Sequence, residues 1–216
     1  MRRAVIFANG MLQNPERVRQ AIHPGDLLIA ADGGAQHCLA LGLTPAVVIG
    51  DFDSLSEQEL QDLKTQSVQM IRHPAHKDFT DLELALQHVQ ELGMQEVLIL
   101  GALGARWDQT IANLLLPISA GLSSLQISIL DGHQEVFILR PDRQVQILGE
   151  VGDTLSLIPL CGDVQGVVTQ GLQYPLSNET LFFGATRGIS NVFTAERVSI
   201  SLASGSLLCV IIHQEK

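Results

Sequence analysis

Residues 68–100 read VQMIRHPAHKDFTDLELALQHVQELGMQEVLIL, and this stretch decides the fold class. Its two ends, VQMI and EVLIL, are short apolar runs, which are typical of strands buried on both faces of a sheet. Between them, apolar residues recur at helical spacing over 81–92, which predicts an amphipathic helix. Thr80 followed by Glu83 predicts a capping box at the helix start, and Gly93 predicts the residue after its last turn. Strand, helix and strand in this order predict a βαβ unit with parallel strands.

The same alternation of strands and helices extends on both sides of this unit. Further apolar runs predict strands at 4–8, 27–31, 46–49 and 126–130. After about residue 140 the helical spacing disappears, and short β segments are predicted at 144–148, 153–159, 163–169, 179–183, 197–202 and 206–212. The change predicts two domains, with a junction near Arg140–Arg143. We expect a mostly parallel α/β domain over 1–140 and a small all-β sandwich over 141–216.

The composition excludes some partners. The net charge is −10, with 23 acidic and 13 basic residues among 216, so we expect neither nucleic acid nor an anionic membrane surface as a partner. No apolar run approaches the roughly 20 residues that span a bilayer, and the apolar N-terminal run is too short for a signal peptide. Three widely separated cysteines indicate free thiols. Together these features predict a cytoplasmic protein.

Polar residues follow four successive predicted strands at the sheet edge where α/β proteins bind ligands. The four segments are Asp32–Gly34, Gly50–Ser54, Lys77–Asp81 and Gly101–Gln109. The chain contains neither a G-x-x-x-x-G-K-[ST] phosphate loop nor a G-x-G-x-x-G fingerprint. We therefore expect a bound nucleotide to be held by metal, by backbone N–H groups near the glycines, and by Lys77 or Arg106.

Asp51 and Asp53 are the strongest candidates for metal ligands. An Asp-x-Asp pair in extended backbone places two carboxylates on one side of the chain, where they repel each other unless a cation lies between them. Carboxylate oxygens, water and substrate phosphate suit Mg²⁺. Asp78 and Asp81 could extend the same site. Other interpretations remain open, since Asp32 could belong to a tight turn, Asp81 to a helix N-terminus and Asp108 to a helix N-cap.

These motifs resemble those of the thiamine pyrophosphokinase family. The matching segments in the first part are Ala31–Ala35, Gly50–Ser54, Asp78–Asp81, Leu100–Gly101 and Gly104–Gln109, and those in the β-rich part are Gly171–Leu176 and Gly188–Asn191. The resemblance runs in order over roughly residues 27–191. G-D-F-D-S with a downstream D-x-T-D is specific, whereas A-D-G-G alone is not.

The resemblance implies an N-terminal nucleotide-binding domain, a C-terminal thiamine-binding domain and a homodimer with the active site in a cleft at its interface. It implies that ATP donates a diphosphate to the thiamine hydroxyl and that AMP leaves. Three roles are implied for the matching residues. The Mg²⁺ site and its catalytic carboxylates are Asp51, Asp53 and Asp81, with Asp78 assisting. The ATP-binding cleft comprises Asp32, Gly33, Gly34, Lys77, Arg106, Asp108 and Gln109. The thiamine pocket comprises Ser190 and Asn191, with Tyr174 nearby.

Three positions depart from the family pattern. Trp107 stands where the family more often has Phe or Tyr, Tyr174 where many members have Trp, and Gln109 where many have His. The competing hypotheses are a pyrophosphokinase acting on another heterocyclic alcohol such as a hydroxymethylpterin, a metal-dependent nucleotide phosphohydrolase, and a catalytically silent sensor. Either Asp78 or Asp108 could accept the proton of the attacking alcohol.

Overall fold

The structure is a computed structural model that describes residues 3–76, 78–104, 106–141 and 144–214. The chain divides into two compact units, Met1–Gly132 and His133–Lys216. This division precedes the predicted junction at Arg140–Arg143, two residues of which, Asp142 and Arg143, lie outside the described residues. None of the helices in the described ranges is long and apolar enough to cross a membrane.

The first unit is built on a parallel sheet. Its strands are β1 (Arg3–Phe7), β2 (Leu27–Ala31), β3 (Val47–Gly50), β4 (Gln69–Arg72), β5 (Glu96–Leu100) and β6 (Gln126–Asp131). They lie in the order β4-β3-β2-β1-β5-β6, and every neighbouring pair is parallel. The chain adds β2 to β4 on one side of β1 and then β5 and β6 on the other. The direction of winding therefore reverses between β1 and β5, which is where open α/β sheets form a ligand crevice.

Helices connect these strands. They are α1 (Pro15–Ala21), α2 (Gly34–Ala40), α3 (Glu57–Thr65), α4 (Asp81–Glu91) and α5 (Trp107–Leu115), and two 3₁₀ turns follow at Leu116–Ile118 and Ala120–Leu122. The predicted helix over 81–92 corresponds to α4, which packs against β1, β2 and β3. Thr80 Oγ1 accepts a hydrogen bond from the Glu83 N–H at 3.2 Å. Gly93 has φ 71°, as the predicted residue after the last turn requires.

The second unit consists of β-structure. Its strands are β7 (Gln134–Leu139), β8 (Val145–Leu148), β9 (Thr154–Gln170), β10 (Glu179–Leu181), β11 (Asn191–Val192), β12 (Arg197–Ser201) and β13 (Ser204–Ile212). The first part of β9 pairs with β13 and β11, and β13 pairs in turn with β7. The last part of β9 pairs with β12 and β10, and β12 pairs with β8. Apolar residues from both groups of strands, among them Leu155, Phe193, Val198 and Leu207, form one buried core.

One sequence prediction for this unit was wrong, and two strands, β7 and β11, were not predicted. The segments 153–159 and 163–169, predicted as separate strands, are parts of the single strand β9. Cys161 and Gly162, with φ 60° and 129°, interrupt the apolar alternation without ending the strand. The pairing of β9 with β13 also shifts register between Ser204 and Ser206. The interruption is therefore an irregularity within a long strand rather than a turn. Strand β7 was not predicted at all.

Candidate active site

The carboxyl ends of β1, β2 and β5 border a cavity of about 170 Å³ in the first unit. Its lining includes Asn9 after β1, Asp32 after β2 and Gly104 after β5. Asp81, the first residue of α4, also lines it. The cavity thus lies where the winding of the sheet reverses, at the edge at which the sequence predicted bound ligand.

Three carboxylates converge beside this cavity. Asp32, Asp51 and Asp53 each offer an oxygen, and these oxygens all lie within 4.8 Å of one another. Asp32 is buried, Asp51 is half-buried and Asp53 is exposed. Such a set of oxygens is the donor type that Mg²⁺ prefers, and the like charges repel one another unless a cation is present. The structure therefore brings together the predicted Asp51–Asp53 pair and adds Asp32, for which the family resemblance implied a place in the nucleotide cleft.

Hydrogen bonds from backbone N–H groups orient these carboxylates. The Asp32 N–H donates to the Ile49 carbonyl at 2.8 Å, and Asp32 Oδ1 accepts from the Phe52 N–H at 3.1 Å. The Asp53 N–H donates to Asp51 Oδ1 at 3.1 Å. Asp32 and Phe52 both adopt left-handed φ values, of 47° and 69°. This conformation costs a residue such as Phe roughly 1–3 kcal/mol and is found where function requires it.

The aromatic ring of Phe52 is held from the neighbouring strand. The Arg72 guanidinium, at the end of β4, lies 5.0 Å from the centroid of that ring. Phe52 is itself buried, with 6% of its surface exposed. A cation–π contact of this kind contributes about 0.5–1 kcal/mol at an exposed site. Arg72 therefore helps to hold the loop between Asp51 and Asp53 in its strained conformation.

Glycines allow the elements of the site to approach closely. A Cβ at Gly34 would lie 2.5 Å from the carbonyl carbon of Phe7, and one at Gly33 would lie 2.6 Å from Asn9 Nδ2. A Cβ at Gly50 would lie 2.9 Å from Asp32 Cβ and 3.2 Å from Asp81 Oδ1. The first two glycines let α2 begin against the end of β1. Gly50 lets the Asp32 and Asp81 side chains lie side by side.

Arg106 and Asp108 form an ion pair at the start of α5. Arg106 Nη2 lies 2.5 Å from Asp108 Oδ2, and both side chains are exposed. The hydrogen bond from Arg106 lowers the pKa of Asp108, and the same bond raises the pKa of Arg106. The N-cap position of α5 is Arg106, and Asp108 lies within the first turn. Arg106 and Gln109 both line the cavity.

The other predicted residues near the cavity have different settings. Asp78 is exposed in the loop before α4. Among the described residues, the group of three side chains whose oxygens all come within 4.8 Å of one another is Asp32, Asp51 and Asp53, and Asp81 lies on the adjoining cavity wall. Lys77, predicted to bind ATP, lies outside the described residues.

A second pocket, of about 490 Å³, lies in the second unit. Tyr174 and Asn191 line it, together with the ion pair between Glu179 and Arg187. Asn191 Oδ1 accepts from the Tyr174 N–H at 3.0 Å, and Asn191 Nδ2 donates to the Tyr174 carbonyl at 2.7 Å. Ser190 has φ 57°, and its N–H donates to Ser156 Oγ at 3.0 Å. The Tyr174 side chain is left exposed at the pocket, with 67% of its surface accessible.

Two residues that line the first cavity, Asn9 and Asn113, and one that contacts Phe52, Arg72, were not among the site residues predicted from sequence. Asn9 follows β1 just as Asp32 follows β2, so the rule that identified the other strand ends also identifies Asn9. Arg72 stands at the end of β4 and was not singled out. Asn113 is buried within α5 and donates to the Ala102 carbonyl at 2.7 Å. No local sequence signal identifies Asn113, because its partner lies on another element.

Two families match the two units in order. Residues 18–129 match the family described as thiamin pyrophosphokinase, catalytic domain. Residues 138–207 match the family described as thiamin pyrophosphokinase, vitamin B1 binding domain. The carboxylate cluster falls within the first range and the Tyr174 pocket within the second.

Individual relatives agree with this assignment. A thiamine pyrophosphokinase of Bacillus subtilis (strain 168) is 30% identical over 184 residues, which cover 85% of this chain and 86% of the relative. A crystal structure of thiamine pyrophosphokinase from Bacillus subtilis superposes with a TM-score of 0.89 at 27% identity, over 99% of this chain and 100% of that one. The yeast thiamin pyrophosphokinase structure, with a TM-score of 0.78 at 18% identity over 98% of this chain and 86% of its own, shares the fold. This chain belongs to the thiamine pyrophosphokinase family.

Proposed function

We propose that this protein is a thiamine pyrophosphokinase that transfers a diphosphate group from ATP to the hydroxyl of thiamine and releases AMP. The observation that carries the proposal is the distribution of the two sites along the chain. The carboxylate cluster of Asp32, Asp51 and Asp53 lies in the segment that matches the family's catalytic domain. The pocket of Tyr174 and Asn191 lies in the segment that matches the vitamin B1 binding domain.

The donor set of the cluster fits Mg²⁺. Three carboxylate oxygens within 4.8 Å of one another supply hard ligands, and the exposure of Asp53 leaves room for water and phosphate oxygens. We propose that Asp32, Asp51 and Asp53 hold Mg²⁺ and that Asp81, on the adjoining wall, extends the site. When bound, Mg²⁺ would neutralise the charge of the ATP phosphates during transfer.

The residues of the cavity would position the nucleotide in what we propose is a nucleotide-binding domain. Arg106 and Gln109 line the cavity and could reach a phosphate or ribose, although Arg106 must first loosen its exposed pair with Asp108. Both side chains are exposed to water, which screens the pair, so this exchange costs little. The backbone at Gly33 and Gly34 would also belong to the proposed ATP site, and the predicted role of Lys77, which lies outside the described residues, stays a prediction.

The proton of the thiamine hydroxyl needs an acceptor during transfer. Asp78 is exposed and available in the loop before α4, whereas the carboxylate of Asp108 is engaged by Arg106. The hydrogen bond from Arg106 also lowers the pKa of Asp108, which makes that carboxylate a weaker base. When Arg106 turns to the nucleotide it releases Asp108, so both candidates that the sequence left open, Asp78 and Asp108, stay predictions.

The pocket of the second unit suits a cationic heterocycle. The exposed ring of Tyr174 offers a π face to a thiazolium ring, and the Glu179 carboxylate on the same lining is paired with Arg187. Asn191 holds the backbone of Tyr174 through hydrogen bonds on both sides of its Cα, which fixes the point from which the ring extends. We propose that Tyr174, Ser190 and Asn191 belong to the thiamine site. The match to a vitamin B1 binding domain favours thiamine over a hydroxymethylpterin.

We further propose a homodimer and a cytoplasmic location. Along α5, Trp107, Ile111 and Leu115 recur at a spacing of four residues, so they lie on one helix face, and all three are exposed. An exposed apolar stripe of this kind supports an interface with a second copy. Replacing Ile111 by Glu should convert the dimer to monomer in sedimentation velocity, whereas an unchanged dimer would place the interface elsewhere. The free cysteines support a reducing compartment.

One incubation tests the reaction. Purified protein with Mg²⁺, ATP and thiamine should form thiamine diphosphate and AMP in equal amounts, as resolved by chromatography and mass. Thiamine monophosphate with ADP would overturn transfer of a diphosphate. Phosphate or pyrophosphate release without thiamine would favour the phosphohydrolase, and product formation only with a hydroxymethylpterin would favour the alternative acceptor. Ligand binding without any product would favour the silent sensor.

A further inference from the structure

Asn9 occupies a rigid position at the cavity rim. It lies between two residues held by backbone hydrogen bonds, from the Ala8 N–H to the Leu100 carbonyl at 2.8 Å and from the Gly10 N–H to the Gly101 carbonyl at 2.7 Å. Its side chain lies over Gly33, where a Cβ would come within 2.6 Å of Asn9 Nδ2. The absence of a side chain at Gly33 therefore lets the Asn9 amide reach towards the loop after β3.

The Asn9 amide begins a chain of hydrogen bonds that ends at the carboxylate cluster. Asn9 Nδ2 donates to Ser54 Oγ at 3.2 Å, and Ser54 Oγ donates to Asp53 Oδ1 at 3.2 Å. A serine hydroxyl has one hydrogen and rotates freely, so its direction is set by its neighbours. Because Ser54 Oγ accepts the hydrogen bond from the Asn9 N–H, its own hydroxyl hydrogen is directed towards Asp53. If the amide were turned over, Asn9 Oδ1 would accept the Ser54 hydroxyl hydrogen, and Ser54 could no longer donate it to Asp53.

We propose that Asn9 is a positioning residue of the metal site, which acts through the Ser54 hydroxyl to restrict the rotation of the Asp53 carboxylate. Asp53 is the exposed member of the cluster, so its carboxylate has the least packing to hold it. Groups that orient a metal-binding carboxylate through a hydrogen bond affect metal affinity without touching the metal. This inference rests on the proposed function, because it assumes that the cluster of Asp32, Asp51 and Asp53 binds a divalent cation.

The loop itself has supports other than Asn9. Gln36 Nε2 donates to the Ser54 carbonyl at 3.0 Å, and the Asp53 N–H donates to Asp51 Oδ1 at 3.1 Å. These contacts hold the backbone of the loop, whereas Asn9 contacts the Ser54 hydroxyl. Loss of the Asn9 amide should therefore change the direction of one side chain and leave the loop in place.

The test is direct metal binding by the protein alone. Mn²⁺ titrations followed by electron paramagnetic resonance would compare wild type with Asn9→Ala, Ser54→Ala and the double variant, with Gln36→Ala as the matched control. We expect Asn9→Ala and Ser54→Ala each to weaken Mn²⁺ binding by about tenfold, the lower end of the effect of such orienting groups. Because both act on one hydrogen-bond chain, the double variant should bind Mn²⁺ no more weakly than Ser54→Ala. Gln36→Ala should stay within about twofold of wild type. Circular dichroism would establish that all variants are folded.

A kinetic measurement separates positioning from a structural role. In Asn9→Ala, the Mg²⁺ concentration for half-maximal rate should rise by about tenfold, while kcat at saturating Mg²⁺ should be retained. Wild-type Mn²⁺ affinity in folded Asn9→Ala, or additive losses in the double variant, would overturn the inference, as would wild type that binds no Mn²⁺. If wild type binds Mn²⁺ but forms no thiamine diphosphate, the proposed reaction is wrong. The Mn²⁺ titrations then still test the role of Asn9, because they do not depend on that reaction.

Discussion

Replacing Asp32 by Asn tests the carboxylate cluster most sharply, because the change alters charge and little else. Asn tolerates the left-handed φ of 47°, and its side-chain oxygen can still accept the Phe52 N–H. The oxygens of Asp32 and Asp51 lie within 4.8 Å, a separation at which their repulsion is about 3.5 kcal/mol at an effective dielectric of 20 and about 0.9 kcal/mol in water. Asp32 is buried and Asp51 half-buried, so the repulsion falls between these values.

Without metal, Asp32→Asn should therefore raise the free energy of unfolding by about 1–3 kcal/mol. With Mg²⁺ the order should reverse, because wild type gains about 4.1 kcal/mol when the Mg²⁺ concentration is a thousand times its Kd. The variant should gain little and should lose most of its thiamine diphosphate formation. Urea unfolding with and without Mg²⁺ measures both effects on the same samples.

Asp131→Asn is the matched control. Asp131 is also a buried aspartate, and it lies at the end of β6, outside the cluster. Burial raises the pKa of Asp131, so its neutralisation should affect stability without changing the response to Mg²⁺. An equal Mg²⁺ stabilisation of wild type and Asp32→Asn would refute the metal site as described. So would an Asp32→Asn variant less stable than wild type in the absence of metal.

Three further changes test other parts of the account. Asn191→Ala removes both hydrogen bonds to the Tyr174 backbone, and in steady-state assays it should raise the KM for thiamine by about tenfold or more while the KM for ATP stays unchanged. An equal rise in both KM values would contradict a role in the thiamine site. Gly50→Ala would place a methyl group 2.9 Å from Asp32 Cβ and should weaken Mg²⁺ binding, measured by calorimetry, whereas unchanged affinity would show that the cluster tolerates the shift. Burial alone would raise the pKa of Asp153, but hydrogen bonds from two backbone N–H groups and an imidazole outweigh it and lower that pKa. The ionised Asp153 carboxylate therefore stabilises the fold above the ordinary pKa of 3.8, and this contribution is lost as the pH falls through the lowered pKa. Asp153→Asn should therefore reduce the free energy of unfolding by about 1–3 kcal/mol at neutral pH, a difference that shrinks below about pH 4 in urea titrations; a constant difference down to pH 2 would contradict this.

The strands of the first unit could be predicted from sequence because each is a continuous apolar run. Strands β2 and β5 have the predicted bounds, 27–31 and 96–100, and α4 ends at Glu91, one residue before the end of the predicted helix. These elements are buried on one or both faces, so their composition alone identifies them. Their order in the sheet does not follow from composition, because it depends on contacts between distant segments.

The irregular parts of the second unit could not be predicted in the same way. At Cys161 and Gly162 a local pattern typical of a turn lies inside β9, where pairing with β13 keeps the backbone extended on both sides. Strand β7 begins at Gln134, before the point at which helical spacing was judged to end. The first error arises because long-range strand pairing overrides local sequence preference, whereas β7, with the sequence QEVFIL, has a local strand preference that was overlooked.

The candidate site was predictable to the extent that strand ends gather at one edge of the sheet. That rule correctly brought the Asp51–Asp53 pair to the same edge as Asp32. It did not identify partners, such as the Asn9 amide on Ser54, because those residues are 45 positions apart. The roles assigned to Asp78, Asp81 and the thiamine-site residues remain predictions.

The central claim is that the diphosphate of ATP moves to thiamine as one unit. The direct test uses two parallel reactions with Mg²⁺ and thiamine, one with ATP labelled by ³²P at the β-phosphate and one with ATP labelled at the γ-phosphate. Both labels should appear in thiamine diphosphate, and the AMP should be unlabelled. Label from the γ-phosphate alone in the thiamine product, with the β label retained in ADP, would contradict it.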